Sequence, residues 1–401
     1  MTAPFVVDSP SQVLAGARVV TPAGVRDDAW VHVARGAIAG VDTAPPARRA
    51  PDVPVVDLEG AWLLPGYVDL HMHGGGGYSV AGSLQAMDAA VAFHRARGTT
   101  ATLVSLMTAP VGELSEQLAW AAELTRRGPT ARGNVLGSHL EGPFLSSRRC
   151  GAQNEAHMIA PDRAVLNTLM AAAGGTLRMM TLAPELDGAL ALLAPLKEAG
   201  VIVALGHSDA TYEEAAAAIR AGASHATHLF NAMPPLHHRQ PGLAGAVLEA
   251  GLPAELINDG RHLHPAVVGL VARLIACPLL VTDAIDATGV GDGTFVLGGQ
   301  EVHVHDGEAR LTRTRSLAGS TLTMDEALRR AVTDSGLSIE QASAAASTNP
   351  ARVLGLGASL GSIAPGRRAD LVVLGDDLQV AAVMAGGDWC TGVAPLPSRL
   401  V

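Results

Sequence analysis

The chain has 401 residues, 48% of them hydrophobic but only 3% aromatic, so Ala, Val and Leu must fill whatever core it builds. A formal net charge of -10 excludes binding to a nucleic-acid backbone by bulk electrostatics, and no apolar run approaches the ~18 residues that a membrane span needs. Three scattered cysteines, Cys150, Cys277 and Cys390, give neither a disulfide framework nor a zinc-finger spacing, so the expected setting is a reducing cytoplasm.

Residues 1–60 read as short strands, Gln12–Thr21, Asp28–Arg35, Ala37–Val41 and Val53–Leu58, with a linker from Pro45 to Pro54 and no helical period. Over residues 61–355 the pattern changes to apolar strands alternating with alanine-rich helical stretches, the signature of βα units on a parallel sheet. Strands are predicted at Tyr67–Leu70, Thr100–Ser105, Val135–His139, Leu177–Leu182, Val201–Leu205, His225–Thr227, Ala254–Ile257 and Leu279–Thr282. Between them fall helices over Leu84–Arg97, Val111–Arg127, Glu185–Ala199, Tyr212–Ala221 and Pro265–Ala276. Gly289, Gly291 and Gly293 then suggest a mobile loop over the mouth. Residues 356–401 return to short strands at Asp370–Leu374 and Val380–Ala385. The expected fold is α/β: a (β/α)8 TIM-like barrel inserted into a small β-sandwich built from the N- and C-terminal segments.

Chemistry in such a barrel sits at the C-terminal strand ends, and there the polar residues fall in a regular way. Strand one ends in His71-Met72-His73, whose two histidines share a side because strand side chains alternate. Strand three ends in His139-Leu140-Glu141, strand five in Gly206-His207, strand six in Thr227-His228 and strand eight in Thr282-Asp283. The imidazoles of His71, His73, His207 and His228 and the carboxylates of Glu141 and Asp283 thus converge, a donor set that suits zinc, iron or a similar divalent ion. Glu141 has two oxygens and can bridge two ions, one on His71 and His73, the other on His207 and His228. Such ions polarise a carbonyl and supply a hydroxide at neutral pH. Asp283 is the candidate general base and acid, or else a plain ligand or turn residue.

These residues resemble the amidohydrolase superfamily, and within it the N-acetylglucosamine-6-phosphate deacetylases. The resemblance is carried by Pro65 to Gly74, His139-Leu140-Glu141-Gly142-Pro143-Phe144, Gly206-His207-Ser208, His228-Leu229-Phe230-Asn231-Ala232-Met233, Asn258-Asp259-Gly260-Arg261-His262 and Val281-Thr282-Asp283-Ala284. It implies that Glu141, His207 and His228 hold the metal every member needs, that His71 and His73 add a second site, and that one or two ions bind per subunit. Lys197, the only lysine, lies at a predicted helix end, which disfavours a lysine-bridged centre. The resemblance further implies a sugar-phosphate substrate met by Asn231, Ala232, Arg239 and His262, and a homodimer with Arg239 acting in its own subunit or its neighbour's. Gln153 stands where the family commonly has histidine; it can still hydrogen-bond substrate but carries no charge. Cys150, beside Arg148 and Arg149, is an ordinary loop thiol or, if exposed, a reactive one. The activity implied is hydrolysis of the acetamido group of N-acetylglucosamine 6-phosphate. Two further readings stay open from the sequence: a metal-dependent amidohydrolase for a cyclic amide, nucleobase or related N-acetyl sugar, and a non-catalytic sugar-phosphate sensor.

Overall fold

The computed structural model describes residues 11–43, 53–130 and 133–390, so most of the Pro45 to Pro54 linker lies outside the described residues. Parallel strands stand at the eight expected places: β1 Tyr67–Asp69, β2 Thr99–Met107, β3 Val135–Glu141, β4 Leu177–Leu182, β5 Ile202–Leu205, β6 His225–Ala226, β7 Ala254–Ile257 and β8 Pro278–Val281. Each pairs with the next in chain order. They are apolar along almost their whole length because both faces are covered; all of β2 is buried except Met107. Helices pack outside, and their ends are written in the sequence. Thr211 and Glu214 close a capping box on the helix Tyr212–Ala221, which stops at Gly222 with φ 119°.

The seam between β8 and β1 is closed beyond the strands, by residues of the mouth itself. His71 O accepts from Asp283 N and Ala284 O accepts from His73 N, both at 2.8 Å. Beneath that seam the buried Asp69 accepts from Thr282 Oγ1 at 2.6 Å and from the His71 and Thr282 amides. Burial pushes the Asp69 carboxyl up to about 6 against those hydrogen bonds. Barrel closure and the geometry of the mouth are therefore one structural fact.

The terminal segments make a second, mixed sheet. Trp62–Pro65 runs parallel to Arg18 and Val19 of the strand Gln12–Thr21 and antiparallel to Leu371–Leu374. Gln12 ties the two ends together, donating to Gly387 O and accepting from Trp389 Nε1, both at 2.9 Å. The sheet has its own core of Leu14, Val31, Leu63, Leu371, Val373 and Met384. The chain passes from this sheet into β1 at Gly66.

After β8, Gly289 and Gly291 lie in turn and loop, but the chain beyond them is regular. It is a three-stranded antiparallel sheet, Gly293–Leu297, Gln300–His305 and Glu308–Leu311, with a small core of Leu297, Val302, Val304, Ala309 and Leu311. Gly298 and Gly299, at φ 56° and 75°, form the two-residue hairpin turn.

His94, 1% exposed on the helix Leu84–Arg95, meets Gly74 O through Nε2 at 2.8 Å and so supports the turn after His73. Burial pushes its imidazole down to about 4. The unfolded chain takes up that proton near pH 6.5, so this contribution is complete above pH 6.5 and is lost as pH falls through about 4, at up to ~1.4 kcal/mol per pH unit. Denaturant unfolding in chelator between pH 6.5 and 4 should show a shallower pH slope for His94→Gln than for the parent chain; equal slopes would contradict this.

Candidate metal centre

Glu141 is the last residue of β3, His71 and His73 follow β1, and His207, His228 and Asp283 each lie two residues beyond their strands. All six are nearly or fully buried. Tight reversals aim the last three inward, since His207, His228 and Asp283 have φ of 47°, 29° and 51°, values that non-glycine residues rarely adopt. Glycine follows Glu141 for a steric reason: at Gly142, with φ 103°, a Cβ would lie 2.2 Å from Thr108 Oγ1.

The ring nitrogens form two facing pairs. His71 Nε2 lies 3.0 Å from His73 Nε2, and His207 Nε2 lies 3.0 Å from His228 Nε2. Three of the four rings are fixed by what their Nδ1 touches: His73 donates to Ser105 O, His207 to Arg149 O and His71 to Glu255 Oε2, each at 2.9 Å. With Nδ1 protonated, a neutral ring presents a bare lone pair at Nε2. Lone pairs facing each other at 3.0 Å repel unless a cation lies between them. Glu141 serves both pairs, with Oε1 3.1 Å from His207 and His228 and 3.5 Å from His71, and Oε2 3.5 Å from His73. The potential ligand atoms of His71, His73 and Glu141, and those of Glu141, His207 and His228, lie within 4.8 Å of one another. These residues fit a metal in both halves. Lys197 sits in the last turn of the helix Ala189–Glu198 and plays no part.

Burial alone would raise the Glu141 carboxyl, but without a metal the positive charge of protonated His71 and His207 outweighs it and holds it well below the usual carboxylate range; a bound cation would supply that charge with the rings neutral. Asp283 behaves alike: burial opposes ionisation, while His71 and the 3.1 Å contact with His73 Nε2 hold its carboxyl low. It is thus a carboxylate at neutral pH, able to accept a proton.

His73, Glu141, Gln153, His207, His228, Asn231, Ala232, His262 and Asp283 line a cavity of about 220 Å³, whose wall includes Leu297 and Leu317 from the segment after β8. His71 lies behind it. His262 is fixed by Asp259, whose Oδ2 is 2.7 Å from Nδ1; burial disfavours its charge, but that hydrogen bond lifts the imidazole above its ordinary range. Gln153 is 2% exposed and bonded at both ends of its amide: Nε2 donates to Glu141 Oε2 at 2.6 Å and Oε1 accepts from Thr108 N at 2.8 Å. Arg239 does not line the cavity; it is exposed, with Nη1 2.8 Å from His238 Nε2. Burial and Glu155 push the Cys150 thiol up, the opposite of an activated thiol.

Sequence reasoning did not pick out Glu255, Ser105, His225 or Asp69. The clearest signal was Glu255, a carboxylate inside the otherwise apolar run Ala254–Ile257.

The amidohydrolase family profile matches residues 62–390. An N-acetylgalactosamine-6-phosphate deacetylase of Escherichia coli O157:H7 is 38% identical over 385 residues, 94% of this chain and 98% of that protein. The N-acetylglucosamine-6-phosphate deacetylase of Bacillus subtilis (strain 168) is 35% identical over 92% of this chain and 94% of its own. A solved mutant of the Mycobacterium smegmatis N-acetyl-D-glucosamine-6-phosphate deacetylase, in complex with N-acetyl-D-glucosamine-6-phosphate, superposes with a TM-score of 0.89 at 40% identity, covering 95% of this chain and 99% of that one.

Replacing Gln153 by Leu leaves the buried Thr108 amide without its acceptor and frees Glu141 Oε2 to swing. Denaturant unfolding should show a loss of ~1–3 kcal/mol, accompanied by weaker metal retention on dialysis; an unchanged midpoint and metal content would contradict this role.

Proposed function

The chain belongs to the amidohydrolase family and, within it, to the N-acetylglucosamine-6-phosphate deacetylases, and from that premise we propose that it hydrolyses N-acetyl-D-glucosamine 6-phosphate to D-glucosamine 6-phosphate and acetate. The observation that carries this reading is the pair of facing Nε2 dyads sharing Glu141 beside an ionised Asp283 on the wall of the cavity. A pure binder of sugar phosphates has no use for such a set. The E. coli relative, matched over 98% of its length, favours the galactosamine epimer as a second substrate.

In this proposal Glu141, His207 and His228 hold one divalent ion, zinc or iron by the donor set, and His71, His73 and Glu141 hold another. Bound there, metal supplies Lewis-acid polarisation of the acetamide carbonyl and a hydroxide at neutral pH. Asp283 takes the proton of the attacking water at its carboxylate and passes it to the nitrogen as the C–N bond breaks and the new C–O bond forms. His262, whose Nδ1–H Asp259 accepts, offers a protonated Nε2 to the developing oxyanion as the imidazolium that Asp259 favours. Gln153 acts first on Glu141 and only then on substrate. Asn231 and Ala232 contact the sugar phosphate. The phosphate pairs with Arg239, whose place outside its own chain's cavity favours donation across a homodimer. A cytoplasmic setting completes the proposal, supported by three free cysteines.

Acetate release should be rapid from the two 6-phosphorylated N-acetylhexosamines, or from one of them, and slow from unphosphorylated N-acetylglucosamine. A chelator should abolish it and a divalent ion restore it. Turnover of unphosphorylated sugar alone, or of a cyclic amide instead, would overturn the substrate. Asp283→Asn should keep its metal and lose roughly 10²–10⁴ in kcat; near-normal kcat in that variant would reject the proton-transfer role.

A further inference from the structure

Glu255, on β7, is 0% exposed and belongs to neither imidazole pair, yet it touches both halves of the centre. Its Oε2 accepts from His71 Nδ1 at 2.9 Å and from the backbone N–H of His228 at 3.2 Å. Oε1 accepts from His225 Nε2 at 3.1 Å, and the Glu255 carbonyl accepts from Leu229 N at 2.9 Å. His71 belongs to the pair beyond β1 and His228 to the pair beyond β6. His228 holds φ 29°, an uncommon value that its surroundings must impose, and the Glu255 oxygen and carbonyl grip the backbone on either side of its Cα.

One fixed oxygen that receives a donor from each half cannot move without moving both. We infer that Glu255 is a positioning residue that couples the two halves of the metal centre. In one half it keeps the His71 ring as the Nδ1–H tautomer with Nε2 aimed inward; in the other it pins the backbone from which His228 projects. The inference rests on the metal reading proposed above and goes beyond it, because it makes the two affinities depend on one side chain outside both ligand sets.

The chemistry of the substitution Glu255→Gln makes this testable at nearly constant volume. Three donors, from His71, His225 and His228, point at the carboxylate. A glutamine offers one uncharged carbonyl oxygen: with its NH2 on the Oε2 side it meets the His228 backbone N–H, and with its NH2 on the Oε1 side it forces His225 into the other tautomer and leaves His71 and His228 a weaker, uncharged acceptor. Metal-stripped parent protein and E255Q should be titrated with Zn(II) by calorimetry, with the thermal midpoint of the metal-free forms measured alongside. Two binding steps are expected for the parent, and E255Q should weaken both by roughly 10- to 100-fold. In a His73→Ala background, where only the His207 and His228 half binds tightly, E255Q should weaken the remaining step as well. If that step keeps its affinity, coupling is overturned and Glu255 serves His71 alone. A lowered midpoint with both affinities intact would make Glu255 merely structural. Should E255Q not fold, Glu255→Asp retains the charge at shorter reach and should show a smaller loss in both steps together. A parent that takes up no ion overturns the metal reading itself; a parent that binds two ions as tightly as E255Q does overturns this inference alone.

Discussion

A single buried carboxylate, Glu141, is the anion that two pairs of imidazoles share, and the mouth of the barrel is arranged around keeping it charged. An isolated carboxylate at this depth would take up a proton. Here His71 and His207 overcome the penalty of burial. Gln153 holds the second oxygen, and the backbone turns away at Gly142 because no side chain fits there. Three of the four rings are in turn fixed from behind by Ser105, Arg149 or Glu255. The result is ring nitrogens aimed at each other at 3.0 Å, an arrangement unfavourable whether both are bare or both protonated and favourable around cations.

The fold places this set where the barrel is hardest to close. The β8 to β1 seam is completed by the backbones of His71, His73, Asp283 and Ala284, and Asp69 joins the two strands below it. The uncommon φ values at His207, His228 and Asp283 cluster at the same rim, and the cost of holding them falls on the strands underneath. The segment after β8 and the terminal sheet have their own cores, so that segment walls the cavity as a folded unit rather than as a loose strap.

Much of this was legible in the sequence, for physical reasons that differ by residue. Parallel strands buried on both faces leave uninterrupted apolar runs, so all eight barrel strands stood out. The polar residues just after those runs marked the rim, and the His71-Met72-His73 spacing put two rings on one side. The helix Arg163–Ala173 went unread although Asp162 caps it and Gly174 ends it, and the hairpin after Gly293 went unread although Gly298-Gly299 marks its turn and the alternation of Gln300–His305 a strand. Gln153 was legible as a polar loop residue but not as a brace for Glu141, and Glu255 was hidden because nothing local in a strand says which buried rings its carboxylate will meet. Those facts arise only when β1, β3, β6 and β7 come together.

Everything here turns on whether cations lie between the facing nitrogens. Crystals of the purified protein, measured at the absorption edge of the metal it carries, give that answer directly. Two anomalous peaks are expected, one between His71 Nε2 and His73 Nε2 and one between His207 Nε2 and His228 Nε2, with Glu141 touching both. Absence of a peak at either pair after saturation with Zn(II), or metal bound elsewhere on the chain instead, would contradict this.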